Sequence, residues 1–166
     1  MTAAMDVADE IITLANEKGK PVSNLKLQKI MYFLNALYLV ENKKPLIDDA
    51  KFEKWDYGPV IHYVYSEYSD NGKCCINKPI SHIFFERDKE GLLREKKYSF
   101  KESNLSQDDL IFIKNNIDKF LCYPPYQLVR WSHKEPQWIN KVPYYYDDQE
   151  TINYYSQQSN KFWENN

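Results

Sequence analysis

The sequence predicts a mainly α-helical domain of the α+β class, with five or six helices and one small antiparallel β-hairpin. Apolar residues recur at the helical period in five segments, whereas only residues 80–100 show the alternation of paired strands. The 166-residue chain has no apolar run close to the ~20 residues of a membrane span. It also lacks a linker, an internal repeat and a low-complexity tract. We therefore expect one compact domain over residues 1–166, outside the membrane.

Two helices are predicted in the N-terminal part of the chain. Apolar residues at helical spacing predict a first helix over residues 3–18. Ser23 or Asn24 can cap a second helix over residues 25–41. Apolar residues occupy nearly every face of this second helix, which is typical of a helix that other elements surround. We therefore expect it to be the centre of the core.

Shorter elements are predicted in the middle of the chain. Residues 46–60 show only short apolar segments, which favours a loop or a brief extended piece. Pro59 suits the first turn of a helix that ends near Asn71. Residues 80–100 place apolar and polar residues on both sides of a polar turn at residues 88–91. This pattern predicts the β-hairpin.

Three more helices are predicted in the C-terminal part. The first begins at Ser106, which precedes an acidic opening turn. The second is short and lies between Pro125, which suits a first helical turn, and Pro136, which ends it. The last is capped by Asp147 or Asp148.

The composition argues against several classes of function. The 22 Lys and Arg residues against 24 Asp and Glu residues give a net charge of −2, which argues against a protein that binds nucleic acid by neutralising phosphates. Four scattered glycines form no phosphate-binding loop, and three histidines lack a metal-binding spacing. We therefore expect no cofactor and no metal. Three cysteines without a C-x-x-C pair, and an N-terminus unlike a signal peptide, favour a cytoplasmic protein.

Three clusters combine polar and aromatic residues in a way that core packing alone does not explain. The first, Lys26–Lys29, opens the predicted central helix. It is either a solvated first turn or the floor of a polar pocket. The second, Phe52–Val60, places aromatic rings around a Gly-Pro turn, and the third, Trp131–Trp138, contains a histidine before a proline. The candidate site residues are Lys26, Gln28, Lys29, Tyr32, Trp55, Tyr57, Gly58, Pro59, His133 and Trp138.

At these clusters the chain resembles the Panacea domain family, also called the SocA-like antitoxin or phage-associated family. The family pattern is K-L-Q-K-[LI]-[LM]-Y, then F-E-x-W-x-Y-G-P-V, then L-x-x-x-S-H-x-x-x-x-W. Here these motifs are Lys26–Tyr32, Phe52–Val60 and Leu128–Trp138, in the expected order. The resemblance covers nearly the whole chain. It departs from the family at Lys54, where alanine is common, and at Trp131, where a smaller residue is common.

This resemblance implies an antitoxin or a phage or prophage accessory protein. It implies that the protein neutralises a toxin by direct, stoichiometric protein–protein binding, and that the toxin is encoded by a neighbouring gene. It implies no catalysis. The identity of the toxin stays open, as does the choice between blocking the toxin and delivering it to a protease.

Aromatic residues near the C-terminus are a candidate surface for that protein partner. Aromatic residues make up 16% of the chain, with 14 tyrosines, and rings with polar tips are enriched at protein interfaces. Because such rings also serve as half-buried filler, both interpretations stay open. The candidate surface residues are Tyr144, Tyr145, Tyr146, Tyr154 and Trp163.

Two functions from other classes also stay open. One is a small hydrolase or transferase that uses His133 with Glu53 or Glu135. The other is a nucleic-acid-binding regulator, against which the net charge argues.

The three clusters are expected to converge in space. Their composition is explained if they line one semi-polar site beside the N-terminal half of the central helix. In the alternative interpretation, His133 bonds a backbone carbonyl and braces the turn before Pro136 without any ligand. The residues expected to meet are Trp55, Tyr57, His133 and Trp138.

Overall fold

A computed structural model describes residues 1–80, 82–98 and 104–164, and it confirms the mainly helical α+β class. Within these residues, five α-helices have eight or more residues and three have four to six. The helices are α1 (Ala4–Glu17), α2 (Asn24–Asn42), α3 (His62–Glu67), α4 (Gln107–Asn116), α5 (Asp118–Leu121), α6 (Pro125–His133), α7 (Pro136–Ile139) and α8 (Asp148–Tyr155). The strands are β1 (Glu53–Trp55), β2 (Gly58–Val60), β3 (His82–Arg87) and β4 (Leu93–Tyr98). Short 3-10 turns lie at Ser69–Asn71, Gln158–Asn160 and Phe162–Glu164.

Helix α2 is the centre of the core, as its apolar faces predict. Ser23 caps its start by accepting a hydrogen bond from the Lys26 backbone N–H at 3.3 Å. Lys43 ends it in the left-handed conformation, with φ 58°. Thirteen of its 19 residues are buried, because α1, α6 and α8 all pack against it. Each large apolar side chain buried in this way contributes about 1.5–3 kcal/mol.

The segment predicted as a loop or brief extended piece forms the β1–β2 hairpin, which is antiparallel. Its outer edge at β1 is covered by the segment before α8. There the Lys54 N–H donates to the Tyr144 carbonyl at 3.0 Å, and the Tyr146 N–H donates to the Phe52 carbonyl at 2.9 Å. The C-terminal segment thus acts as a third extended piece beside the hairpin.

Pro59 lies in β2 opposite Lys54, so the prediction that it opens a helix is wrong. The following helix, α3, begins at His62. Proline has no backbone N–H, and it therefore also fits a strand position that donates no ladder hydrogen bond.

The β3–β4 hairpin confirms the strand pair predicted within residues 80–100. Asp88 closes its turn, since its carboxylate accepts a hydrogen bond from the Leu92 backbone N–H at 2.9 Å. Residues 81, 99 and 100 of the predicted range lie outside the described residues.

The C-terminal helices follow the prediction with two changes. The helix capped by Ser106 is divided at Ile117 into α4 and α5. Pro136, expected only to end a helix, is the first residue of α7. Of the two candidate caps of α8, Asp147 is used, and it accepts a hydrogen bond from the Glu150 N–H at 2.9 Å. Among the helices of the described residues, none is long and apolar enough to cross a membrane.

Candidate functional site

The first contact between the sequence clusters joins α2 to the β1–β2 hairpin. Gln28 Oε1 accepts a hydrogen bond from the Ile61 N–H at 3.0 Å, and Lys29 Nζ donates to the Pro59 carbonyl at 2.8 Å. Both side chains are fully buried, so the interpretation as a solvated first turn is wrong for them. Burial lowers the pKa of Lys29 to about 7. The start of α2 therefore holds the hairpin in place.

Gly58 allows the closest approach between the second and third clusters. Its φ is +90°, and a Cβ at this position would lie 2.4 Å from Ser132 Oγ and 3.2 Å from Lys29 Cε. Ser132 is itself fixed, because it is buried and its hydroxyl donates to the Val129 carbonyl at 2.7 Å. The backbone conformation and the space both require glycine.

The second contact is a buried carboxyl group, Glu135, between α2 and α8. The Tyr32 hydroxyl donates to Glu135 Oε1 at 2.5 Å, and the Tyr155 hydroxyl donates to Oε2 at 2.7 Å. Gln137 Nε2 donates to Oε1 at 3.1 Å. Burial raises the pKa of Glu135 to about 7, although these three hydrogen bonds oppose the shift. The carboxyl group ties three elements together inside the protein.

The third contact joins the two tryptophans of the motifs. Trp138 Nε1 donates to the Trp55 carbonyl at 2.9 Å. The His133 ring stacks on the Trp138 ring, with centroids 3.6 Å apart, and Lys141 Nζ lies 3.5 Å from the Trp138 ring centroid. Burial lowers the pKa of His133, and a hydrogen bond to the Asp56 backbone partly offsets this. The third cluster thus supports the hairpin from the side of α7.

An open groove of about 900 Å³ lies beside these contacts. Gln28 and Asn24 line it from α2, and Trp55 and Tyr57 line it from the hairpin. The side chain of Tyr57 is 69% exposed. Aromatic walls can hold a partner segment by apolar contact, whereas the buried Gln28 and Asn24 amides below them are hydrogen-bonded within the protein. This groove is the candidate binding site.

Residues 27–139 match the family model described as Antitoxin SocA-like, Panacea domain. This chain belongs to that family. The match includes most of the first motif and all of the second and third.

A curated relative of this Panacea domain is the protein named Antitoxin SocA, from Caulobacter vibrioides (strain NA1000 / CB15N). The two sequences are 41% identical over 78 residues, which cover 46% of this chain and 41% of the relative. The matched part of this chain thus spans less than half of the relative's length. No solved structure matches the chain.

The Panacea motif residues converge at the N-terminal half of α2, but they divide into positions that line the groove and positions that do not. Gln28, Trp55 and Tyr57 line the groove. Lys26 Nζ instead reaches the Leu121 carbonyl at 2.7 Å. The positions that lie below or beside the groove are Lys29, Tyr32, Gly58, Pro59, His133 and Trp138.

Both departures from the family pattern are accommodated by local packing. Lys54 is buried, with Nζ donating to the Asn140 carbonyl at 3.2 Å and lying 5.8 Å from the Tyr146 ring centroid. The Trp131 ring stacks on Phe162, with centroids 3.8 Å apart. Each larger side chain therefore has a specific position in this Panacea domain.

The candidate C-terminal surface is only partly exposed in this Panacea domain. Tyr144 and Tyr145 are 50% and 48% exposed. Tyr146 and Trp163 are buried, at 7% and 4%, so the expectation that they belong to a surface is wrong. Tyr146 packs against Tyr32, and Trp163 packs against Phe120 and Tyr155. Both rings therefore complete the core around α2. Tyr154 is half-buried.

The residues of the enzymatic alternative are not arranged as an acid–base pair. No hydrogen bond or ion pair joins His133 to Glu53 or Glu135 among the residues that the structure describes. Glu53 instead accepts hydrogen bonds from Trp55 Nε1 at 2.6 Å and from the Tyr144 hydroxyl at 3.0 Å. The described residues also contain no group of three or more His, Cys, Asp and Glu that could hold a metal.

Three residues that join the motifs were missed at the level of sequence. Ser132 packs against Gly58, while Tyr155 and Gln137 bind the Glu135 carboxyl group. Ser132 and Gln137 lie inside the third cluster, so their polarity beside apolar neighbours was a usable signal. Tyr155 lies in another helix, and nothing in its local sequence indicates its partner.

Proposed function

We propose that this protein is an antitoxin that neutralises a partner toxin by direct, stoichiometric binding. The observation that carries this proposal is the family match over residues 27–139, supported by a relative that is itself named an antitoxin. A binding role also agrees with the internal use of the polar motif residues. The buried Lys29 and Glu135 are bonded within the protein and so serve its architecture.

The interface that we propose consists of the groove together with Tyr144 and Tyr145. Tyr144 lines the groove, and Tyr145 follows it on the segment that covers β1. Exposed tyrosines offer large apolar contact areas with a polar tip, and they lose little conformational entropy on binding. A few such anchors typically dominate the binding energy of an interface.

We further propose that residues 1–166 act as one unit in the cytoplasm. Helices α1 and α8, which lie outside the family match, both pack against α2. All three cysteines are free and exposed, which suits a reducing compartment.

The test is co-expression with the product of the neighbouring gene, scored by growth and by pull-down from the same cultures. We expect growth to be restored together with a stable 1:1 complex. Tyr57→Ala and Tyr145→Ala should each weaken the complex by about 2 kcal/mol if they are anchors. Ile111→Ala, which also truncates an exposed apolar side chain but lies on α4, is the matched control. Circular dichroism verifies that each variant is folded.

The same experiment separates binding from catalysis. His133→Ala should lose protection only to the extent that it loses binding or folding, because the imidazole is stacked on Trp138. A folded His133→Ala protein that binds normally and yet fails to protect would favour an enzymatic mechanism. Protection at far less than one equivalent of this protein would support the same conclusion.

A further inference from the structure

The walls of the groove form an aromatic corner. Trp55, Tyr57, Tyr65 and Tyr144 all line it. The Trp55 and Tyr65 rings have centroids 5.0 Å apart and planes inclined at 61°. A corner of two or more rings beside exposed tyrosines is a geometry that recognises cations, because ring faces carry negative electrostatic potential.

A carboxylate that lines the neighbouring pocket strengthens that potential through two of these rings. Glu53 Oε2 accepts hydrogen bonds from both Trp55 Nε1 and the Tyr144 hydroxyl, and only 13% of the Glu53 side chain is exposed. A ring that donates a hydrogen bond to a carboxylate gains electron density, and charge-assisted bonds of this kind are the stronger ones. Two walls of the groove are therefore better cation acceptors than isolated rings.

The charge of Glu53 is not balanced by a Lys or Arg side chain among the described residues. Within the described residues, no Lys or Arg nitrogen lies within 4 Å of its carboxylate. The basic nitrogen found within that distance is His62 Nδ1, at 3.7 Å from Glu53 Oε2. Asp56 places a carboxylate in the groove lining itself. Lys54 also lines the groove, but its ammonium group is held by the Asn140 carbonyl. Lys73 is then the exposed cation of the described lining.

The protein itself already pairs cations with aromatic rings near this site. Lys141 Nζ lies 3.5 Å from the Trp138 ring centroid, and the Arg130 guanidinium lies 5.5 Å from that of Tyr126. Within the groove, by contrast, the rings of Trp55, Tyr57 and Tyr65 have no Lys or Arg cation over them among the described residues.

We propose that the groove binds a basic segment of the partner protein, with an Arg or Lys side chain placed against the ring of Trp55 between Tyr57, Tyr65 and Tyr144. The identity of the partner rests on the proposed antitoxin function, whereas the preference for a cation belongs to the groove and is measurable without the toxin. Apolar rings hold the stem of the basic side chain, and Glu53 and Asp56 supply the opposite charge.

The experiment is a titration of the full chain with a capped hexa-arginine peptide, with a capped hexaglutamate peptide as the opposite-charge probe. The readout is the NMR signal of the Trp55 indole N–H, assigned by its absence in Trp55→Phe. We expect hexa-arginine to shift this signal in a saturable way and hexaglutamate to leave it unchanged. Equal shifts with both peptides, or no shift with either, would overturn the proposal.

Three variants separate the groove from general charge attraction. Glu53→Gln and Tyr57→Ala should each weaken hexa-arginine binding by about fivefold, in line with one lost cation contact. Glu41→Gln removes the same charge from the opposite end of α2, about 20 Å along the helix from Gln28, and should leave the affinity unchanged. If all three variants weaken binding equally, the attraction is non-specific and the proposal fails. Thermal unfolding verifies that Glu53→Gln folds. If Glu53→Gln does not fold, Tyr57→Ala alone tests whether the groove binds hexa-arginine.

The outcome is independent of the toxin assay. Loss of the cation preference with intact growth rescue would remove this inference and leave the antitoxin function standing. Binding of hexa-arginine without any growth rescue by co-expression would remove the antitoxin function and leave the cation preference of the groove standing.

Discussion

Glu53 and Glu135 are two carboxylates bound by aromatic donors, and they lie in contrasting environments. Glu135 is fully buried and accepts hydrogen bonds from two tyrosines and a glutamine. Glu53 accepts them from one tryptophan and one tyrosine that both line an open groove. The same chemistry thus supports the core at one position and fixes two rings of the groove wall at the other. Access to solvent, rather than residue type, separates the two roles.

The contrast has an energetic consequence. Removing Glu135 leaves two buried hydroxyls without an acceptor, and each such group carries its full desolvation penalty. Removing Glu53 lets its donors turn to water, so the loss is small.

The largest effect is expected from Glu135→Ala, which should lower the free energy of unfolding by about 3–5 kcal/mol. Glu53→Ala should lower it by about 1 kcal/mol or less. Urea unfolding followed by tryptophan fluorescence measures both values. Similar losses for the two variants would contradict the distinction between a fully buried and a partly exposed carboxylate.

The next effect concerns the contact that holds the groove wall against α6. Gly58→Ala should destabilise the protein by about 2–4 kcal/mol, because the new methyl group overlaps Ser132 Oγ and the positive φ disfavours it. The double variant Gly58→Ala with Ser132→Ala should recover the part that comes from the overlap. A double-mutant cycle in urea is the measurement, and strictly additive losses would show that the backbone alone accounts for the requirement.

A pH effect distinguishes the buried carboxyl group further. Burial raises the pKa of Glu135 from 4.5 to about 7, so between these values the folded protein holds a proton that the unfolded chain releases. The stability from this proton is present below pH 4.5 and is lost as the pH rises to about 7. Glu135→Gln cannot titrate and should flatten this decline by about 2 kcal/mol.

Urea unfolding of both proteins at several pH values between about 5 and 7 tests that expectation. Burial also raises the pKa of Asp9 to about 7. Asp9 therefore contributes part of the fall in stability in both proteins. The contribution of Lys29, with its pKa lowered to about 7, changes mainly above this window. Parallel pH curves for the wild type and Glu135→Gln would exclude Glu135 as the titrating group.

The smallest effect is expected from Tyr144→Phe, which deletes one hydrogen bond to Glu53 at the groove. Its stability should change by less than about 0.5 kcal/mol, since the group is half exposed. Its affinity for hexa-arginine should nevertheless fall by about twofold, because the ring is then less electron-rich. A large loss of stability would show that Tyr144 is needed for folding, and it would contradict the distinction between Glu53 and Glu135.

The sequence predicts the centre of this fold and the meeting of its motifs. Helix α2 was recognisable because apolar residues on nearly all its faces require neighbours on all sides. Gln28 and Lys29 were recognisable as unusual, because polar residues in such a helix need buried partners. Their partners, the Pro59 carbonyl and the Ile61 N–H, are backbone groups and carry no signature in the sequence.

Other features depend on tertiary packing that local sequence does not encode. Tyrosine suits a core and an interface equally well, so burial alone distinguishes Tyr146 from its exposed neighbours Tyr144 and Tyr145. Proline likewise fits a first helical turn or a strand position without a donor, which explains the error at Pro59.

The distance in sequence between α2 and its partners affects how the protein is made. Tyr32 meets Glu135 across 103 residues, and Phe33 packs against Phe120 and Phe162. A ribosome adds about 5–20 residues per second, so the end of α2 is synthesised roughly 5–20 s before Glu135. During this interval α1 is already present beside α2, but α6, α8 and the other later elements that cover it are missing. We therefore expect the folding of this domain to be completed only near the end of translation.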